Sequence, residues 1–174
     1  MNNYLEICRK VFRQYKQLGE NAMAQLDDNQ LNWAPSSESN SIVLIVKHLC
    51  GNMLSRFTDF LTTDGEKEWR NRDSEFETDK KVSLAELNKM WEEGWDLFLR
   101  TLDSLTDADL HKIVKIRGEE HTVLEALQRQ TAHYSYHIGQ IVYLAKACKD
   151  KDWASLSIPK GKSKEFNEKL FGKK

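Results

Sequence analysis

Four long segments of the sequence repeat apolar residues at spacings of three and four, and this pattern constrains the fold more than any other feature. The segments cover about residues 4–26, 41–61, 84–102 and 122–148. Such spacings place side chains on one face of an α-helix, because the helix completes a turn every 3.6 residues. The chain contains only two prolines and eight glycines, which favours long helices over many short strands. We therefore predict an all-α protein whose long helices form a four-helix bundle.

Local signals predict where two of the helices begin and how the segments are connected. Ser83 with Glu86, and Thr122 with Glu125, have the spacing of a capping box, in which a hydroxyl accepts a free amide and a glutamate reaches back. Residues 62–81 are densely charged and indicate a polar loop with room for one turn of helix. Residues 111–123 are the one stretch with strand character, which favours a short hairpin before the last helix.

The length of 174 residues fits one domain with a substantial core. We assign residues 1–150 to the bundle and residues 151–174 to a basic C-terminal tail packed on it. Four apolar residues of the tail are the expected anchors: Trp153, Leu156, Phe166 and Leu170.

Charge and cysteine content disfavour several classes of function. The formal net charge is −1, so we expect neither nucleic-acid binding nor attachment to an anionic membrane. Three cysteines that lie far apart do not indicate a disulfide framework or a cysteine zinc site. The first residues lack the pattern of a signal peptide, and the longest apolar run, Ile42 to Val46, is too short to span a bilayer. We expect a cytoplasmic protein.

Three histidines are candidates for a metal site. His133 and His137 stand four residues apart in the fourth helical segment, so both imidazoles lie on one face, one turn apart. Helical zinc sites use such pairs. His48 lies near the middle of the second segment. Because facing helices of a bundle direct side chains towards each other, these three residues can form an open site that leaves a position for water or substrate.

The spacing also admits plainer interpretations. A helical histidine is commonly a hydrogen-bonded residue at a packed interface, and His48 taken alone fits that description. An aspartate or glutamate could supply the third ligand instead. It is also consistent with the spacing that the histidines simply pack and that no metal binds.

Two amides are candidates for orienting the imidazoles. A metal-bound imidazole needs an acceptor for its second ring nitrogen. Asn52 lies one helical turn after His48, and Gln140 flanks the pair on the fourth segment. We therefore predict that these two amides accept hydrogen bonds from the metal-bound imidazoles. The alternative for each is a polar group satisfied at a helix interface.

The residues around the histidines resemble a known superfamily. His133, His137, Gly139, Gln140 and Ile141 form an H-x-x-x-H-x-G-Q-I pattern, which resembles the signature of the DinB/YfiT-like superfamily of proposed metal-dependent enzymes. The segments 41–52, around His48, and 31–35 resemble its first histidine motif and the loop before it. The likeness extends from the first helix to residue 148 and leaves out the basic tail.

This resemblance implies a four-helix bundle, often a homodimer, in which His48, His133 and His137 bind one divalent metal ion. We expect zinc or nickel, with manganese and iron as alternatives. The leading hypothesis is a metal-dependent enzyme acting on a small molecule, either by transfer of a low-molecular-weight thiol such as bacillithiol or by metal-assisted hydrolysis or isomerisation. The alternative is a noncatalytic metal-binding or stress-response module. A structural zinc ion normally has four protein ligands, so finding only three favours the enzyme.

Overall fold

The computed structural model describes residues 3–77 and 80–172, and in these residues it is mostly helical, as predicted. The helices are α1 (Tyr4–Met23), α2 (Asp28–Asn32), α3 (Ile42–Phe57), α4 (Leu84–Ser104), α5 (Val123–Lys149) and α6 (Ser163–Phe171). The strands are β1 (Ile113–Ile116) and β2 (Glu119–Thr122). Within the described ranges, no helix combines the length and apolar content that crossing a bilayer requires.

The four long helices pack around one core. α3 lies against α4 and α5, and α1 also lies against α4 and α5. Edge-to-face aromatic contacts join these helices: the ring centroids of Phe12 and Phe98 are 4.6 Å apart, and those of Phe98 and Tyr134 are 5.4 Å apart. This geometry suits the quadrupoles of aromatic rings. The packing places α3 and α5, which carry the three histidines, side by side.

The helix starts predicted from capping boxes are confirmed. The hydroxyl of Ser83 accepts a hydrogen bond from the backbone N–H of Glu86, and Thr122 does the same for Glu125. Both glutamates accept the backbone N–H of the capping residue in return. α3 is shorter than its apolar pattern suggested: it ends at Phe57, because Thr58 is extended and Asp59 has a φ of 51°.

Two short helices were not predicted from the sequence. α2 has five residues, too few for a periodic pattern, and the carboxylate of Asp27 caps it by accepting from the N–H of Gln30. α6 lies in the basic tail and buries none of its residues. The tail therefore differs from expectation in its second half: Trp153 and Leu156 pack against the core, whereas Phe166 and Leu170 are 41% and 57% exposed.

The predicted hairpin is confirmed and is tied to the loop between α3 and α4. Its turn residues, Arg117 and Gly118, have φ values of 56° and 78°, the left-handed pair that a two-residue hairpin turn requires. The carboxylate of Asp64 accepts from the backbone N–H of both residues, at 2.8 and 2.7 Å. The loop and the hairpin thus form one surface beside the ends of α3 and α5.

Close packing of α1 on α4 predicts the effect of a small substitution. A Cβ at Gly19 would lie 2.6 Å from Cη2 of Trp91. Overpacking typically costs about 1–3 kcal/mol, and the better helix propensity of alanine returns up to about 1 kcal/mol. We expect Gly19→Ala to lower the free energy of unfolding in urea by about 1–2 kcal/mol.

Gly139 provides the matched control, because it is exposed on α5 and a Cβ there would meet nothing within 4 Å. Gly139→Ala should raise the free energy of unfolding by about 0.5–1 kcal/mol. Equal effects of the two substitutions would contradict the close approach of α1 to α4.

Candidate metal centre

The three predicted histidines meet at one point between α3 and α5. One ring nitrogen from each of His48, His133 and His137 lies within 4.8 Å of the other two. The Nε2 atoms of His48 and His133 are 3.2 Å apart. Two nitrogens bound to one tetrahedral zinc ion are about 3.3 Å apart, given bonds of about 2.0–2.1 Å. The arrangement therefore fits a single ion.

A carboxylate determines the tautomer of His48. Nδ1 of His48 lies 2.9 Å from Oε2 of Glu75, and both side chains are more than nine-tenths buried. Because a carboxylate only accepts, Nδ1 carries the proton and Nε2 presents a lone pair. Two lone pairs facing each other at 3.2 Å would repel. Either a proton or a metal ion therefore lies between the Nε2 atoms of His48 and His133. Carboxylate partners of this kind commonly orient metal-bound histidines.

An amide determines the tautomer of His137 in the same way. Oε1 of Gln140 lies 2.8 Å from Nδ1 of His137. With the amide oxygen facing the ring, Nδ1 again carries the proton and Nε2 presents its lone pair. Gln140, one of the two amides selected from the sequence, thus contacts a candidate ligand directly.

Burial keeps two of the imidazoles neutral. It lowers the pKa of His133 to about 3, helped by the nearby charges of His137 and His48 and of Arg56 and Arg70. Burial also lowers the pKa of His137 to about 4, against the hydrogen bond to Gln140, which favours the charged form. Metal ions bind the neutral imidazole. Both rings are therefore in the ligand form at neutral pH.

The Glu75 carboxylate has a second hydrogen-bond partner, Arg70, and it fits into the space that the missing side chain of Gly51 leaves on α3. Arg70 donates from Nε to Oε1 at 2.7 Å and from Nη2 to Oε2 at 3.1 Å. Burial alone would raise the pKa of Glu75, but the hydrogen bonds from His48 and Arg70 outweigh it and lower the pKa. At Gly51 a Cβ would overlap Oε1 of Glu75. Glycine at this position gives the carboxylate room to reach His48.

The short turn that carries Glu75 is fastened to α3. Residues Asp73–Phe76 form a 3-10 turn, and Lys47 donates to the backbone oxygen of Ser74 within the turn and to that of Glu77 directly after it. The ring of Phe76 packs on His48, with centroids 5.2 Å apart. Glu75 is thus positioned by the backbone around it.

Asn52 differs from expectation. Its amide oxygen accepts hydrogen bonds from Nε2 of Gln130 at 3.0 Å and from the hydroxyl of Tyr134 at 3.2 Å. Among residues 3–77 and 80–172, no hydrogen bond joins Asn52 to a histidine. The helical stripe placed Asn52 correctly on the side of α3 that faces α5, but Glu75 approaches His48 from the loop and accepts the hydrogen bond from Nδ1.

The group of candidate ligands has three members within the described part of the chain; no fourth histidine, cysteine or carboxylate joins it. Cys50 points away: its thiol donates to the backbone oxygen of Met90, and burial raises its pKa to about 12. An ion held by these three nitrogens alone would have coordination positions open to water or substrate.

A cavity of about 360 Å³ opens beside the histidines. His48, His133, Asn52, Gln130 and Tyr136 form part of its wall. Five arginines also line it: Arg56, Arg70, Arg72, Arg117 and Arg129. A larger recess of about 640 Å³, on the other side of the loop, contains no histidine. The smaller cavity is the one connected to the candidate metal centre.

Glu75 and Arg70 were missed by the sequence analysis. Both lie in a charged loop with no periodicity, and Glu75 is 27 residues from His48. An acidic residue followed by an aromatic one in such a loop is too common a pattern to indicate a histidine partner. The glycine at position 51, three residues after a candidate ligand in an apolar helix, was the available signal of a close approach.

Comparison with known proteins identifies the family. A family model described as "Protein of unknown function (DUF1572)" matches residues 1–162. No curated protein and no solved structure gives a significant match. Since the family model covers far more than half of the 174 residues, the chain belongs to the DUF1572 family.

Proposed function

We propose that His48, His133 and His137 bind one divalent metal ion and that the protein is a metal-dependent enzyme acting on a small molecule. The convergence of three imidazoles, two of them with Nε2 lone pairs set by Glu75 and Gln140, carries this proposal. Zinc or nickel is the ion we expect, because imidazole ligands suit both. Such an ion lowers the pKa of a bound water or thiol, or polarises a carbonyl.

Two further observations support a reactive centre over a structural one. Structural zinc sites normally have four protein ligands, whereas the described residues supply three. The adjoining cavity, at about 360 Å³, is within the usual range for small-molecule sites. A noncatalytic module would have no need of a polar cavity at its ion.

The arrangement of the long helices supports a DinB-like four-helix bundle as the fold. α1, α3, α4 and α5 contact each other in a closed ring, and the H-x-x-x-H-x-G-Q-I pattern lies on α5 at the candidate centre. From this resemblance we also propose a homodimer.

Metal binding is tested with untagged protein. We expect about one zinc or nickel ion per chain by elemental analysis, since one group of three ligands is present. His133→Ala should weaken zinc binding by more than about 100-fold, because it removes a ligand and not only a supporting partner.

His111→Ala is the matched control, since His111 is exposed outside the cavity. It should bind zinc as the wild type does. Absence of stoichiometric metal from untagged protein in metal-replete medium would refute the proposed function.

If Glu75 orients His48, two different substitutions should weaken zinc binding to a similar extent. Glu75→Gln removes the charge that orients His48, and Gly51→Ala pushes the unchanged carboxylate away. Each should weaken zinc binding by about 10–100-fold, the usual effect of losing an outer partner. Competition with a chelating dye measures the affinity.

Gly139→Ala controls for the gain in helix propensity and should leave zinc affinity unchanged. Glu75→Gln also leaves Arg70 buried without its ion pair, so its stability must be measured alongside. Wild-type affinity in both Glu75→Gln and Gly51→Ala would show that Glu75 does not position His48.

Thiol transfer is the first reaction to test. The zinc-loaded protein should join a low-molecular-weight thiol to a halogenated electrophile: the sulfur forms the new bond to carbon, and halide and the thiol proton are released. His133→Ala should abolish the reaction, whereas His111→Ala should retain it. If no thiol reacts, thiol transfer is refuted, and hydrolysis and isomerisation are the reactions to test next.

A further inference from the structure

The cavity beside the candidate metal centre is strongly cationic. Five arginine side chains line it, and we refer to them as the arginine pocket: Arg56, Arg70, Arg72, Arg117 and Arg129. The chain as a whole carries a net charge of only −1. The positive charge is therefore concentrated at one place and does not reflect a generally basic protein.

Protein carboxylates pair with only part of this charge. Arg70 forms its ion pair with Glu75, and Arg117 forms one with Glu66 at 2.9 Å. Arg72 lies over the ring of Phe76, with 5.2 Å from the guanidinium carbon to the ring centroid. The pairing thus leaves the pocket with an excess of positive charge.

Arg56 is the exceptional member. It is only 7% exposed, and in the part of the chain that the structure describes its Nη1 has no hydrogen-bond partner and the side chain forms no ion pair. A buried unpaired charge is costly, and proteins nearly always satisfy such groups. Burial and the charges of Arg70, Arg117 and Arg129 lower the pKa of Arg56, while Glu66 raises it. The side chain has free donors for an anion, and no carboxylate among residues 3–77 and 80–172 pairs with it.

Arg56 is placed to act together with the metal centre. It follows His48 by eight residues on α3, so the two lie on one helical stripe about 12 Å apart along the axis. Arg56 lines the same cavity as His48 and His133. A small molecule that fills the cavity therefore contacts Arg56, His48 and His133 at the same time.

We propose that the arginine pocket binds an oxyanion group, carboxylate or phosphate, of the substrate, with Arg56 as its principal anchor. This inference rests on the proposed function for the identity of the bound molecule as substrate. A guanidinium matches the planar edge of a carboxylate or two oxygens of a phosphate. Arg129, which is exposed at the rim, adds attraction at longer range.

A polyanion such as nucleic acid does not fit this geometry. Arg56 is a buried residue in the wall of a cavity of about 360 Å³, and nucleic-acid binding uses basic charge spread over an exposed surface. The pocket selects a small anionic molecule whose charged end enters it.

Anion binding is tested on metal-free protein, so that its outcome does not depend on metal binding. Inorganic phosphate and succinate are titrated separately by calorimetry, with chloride keeping the ionic strength constant. We expect saturable binding of at least one, which also tells phosphate from carboxylate recognition. Arg56→Met should weaken it by about 10–100-fold, as expected for lost hydrogen bonds to a charged group.

Two controls separate an anchor from a structural residue. Arg100→Met, on the exposed face of α4 and outside the cavity, should bind the anion as the wild type does. Arg56→Met should unfold at a higher temperature than the wild type without ligand, because an unpaired buried charge has been removed, and should keep its zinc affinity.

Three results would overturn the proposal. They are the absence of saturable binding of either anion, equal affinity in Arg56→Met and wild type, and a lower unfolding temperature of Arg56→Met without ligand. The last result would make Arg56 a structural residue. If metal binding fails while anion binding and its loss in Arg56→Met are observed, the pocket stands and the metal proposal alone is refuted.

Discussion

The carboxylate of Glu75 is the group on which the candidate site depends. It accepts from His48 on α3 and from Arg70 in the loop, so it joins two parts of the chain that no regular secondary structure connects. The same contact determines which nitrogen of His48 is free. Since Glu75 is 7% exposed, solvent screens these interactions little. Gly51 is a consequence of this arrangement, because a side chain at that position would occupy the space of the carboxylate.

The candidate site brings together buried polar and charged side chains, which cost free energy of folding. Three buried or half-buried imidazoles, the buried Asn52–Gln130–Tyr134 network and an unpaired arginine lie at one end of a core that is otherwise apolar and aromatic. Burying polar groups costs free energy unless each finds a partner. The close packing of α1 on α4 and α5 offsets this cost elsewhere in the molecule. The residues that pack the core and those of the candidate site thus lie in two different regions of the structure.

Much of the fold could be predicted from local pattern. The long helices, both capping boxes and the hairpin within residues 111–123 agree with the structure. Each depends on residues within a few positions of one another, which is why a sequence pattern reveals them. The five-residue α2 is too short for a periodic signal. α6 was missed for a different reason, since a helix that buries nothing has no apolar face fitted to a core.

Residue spacing is enough to predict which face of each long helix is apolar and that His133 and His137 share a face, because helical geometry sets both. The meeting of His48 with that pair required α3 and α5 to be neighbours, which the motif resemblance implied and the packing of the structure shows. The contact of His48 with Glu75 rather than with Asn52 depends on how the loop packs on α3. The same packing gives Arg70 and Arg117 carboxylate partners, whereas Arg56 forms no ion pair within the described residues. A charged side chain forms a hydrogen bond or ion pair only with a group within about 3 Å. A loop distant in sequence can bring that group into place, and a local sequence pattern does not predict how such a loop packs.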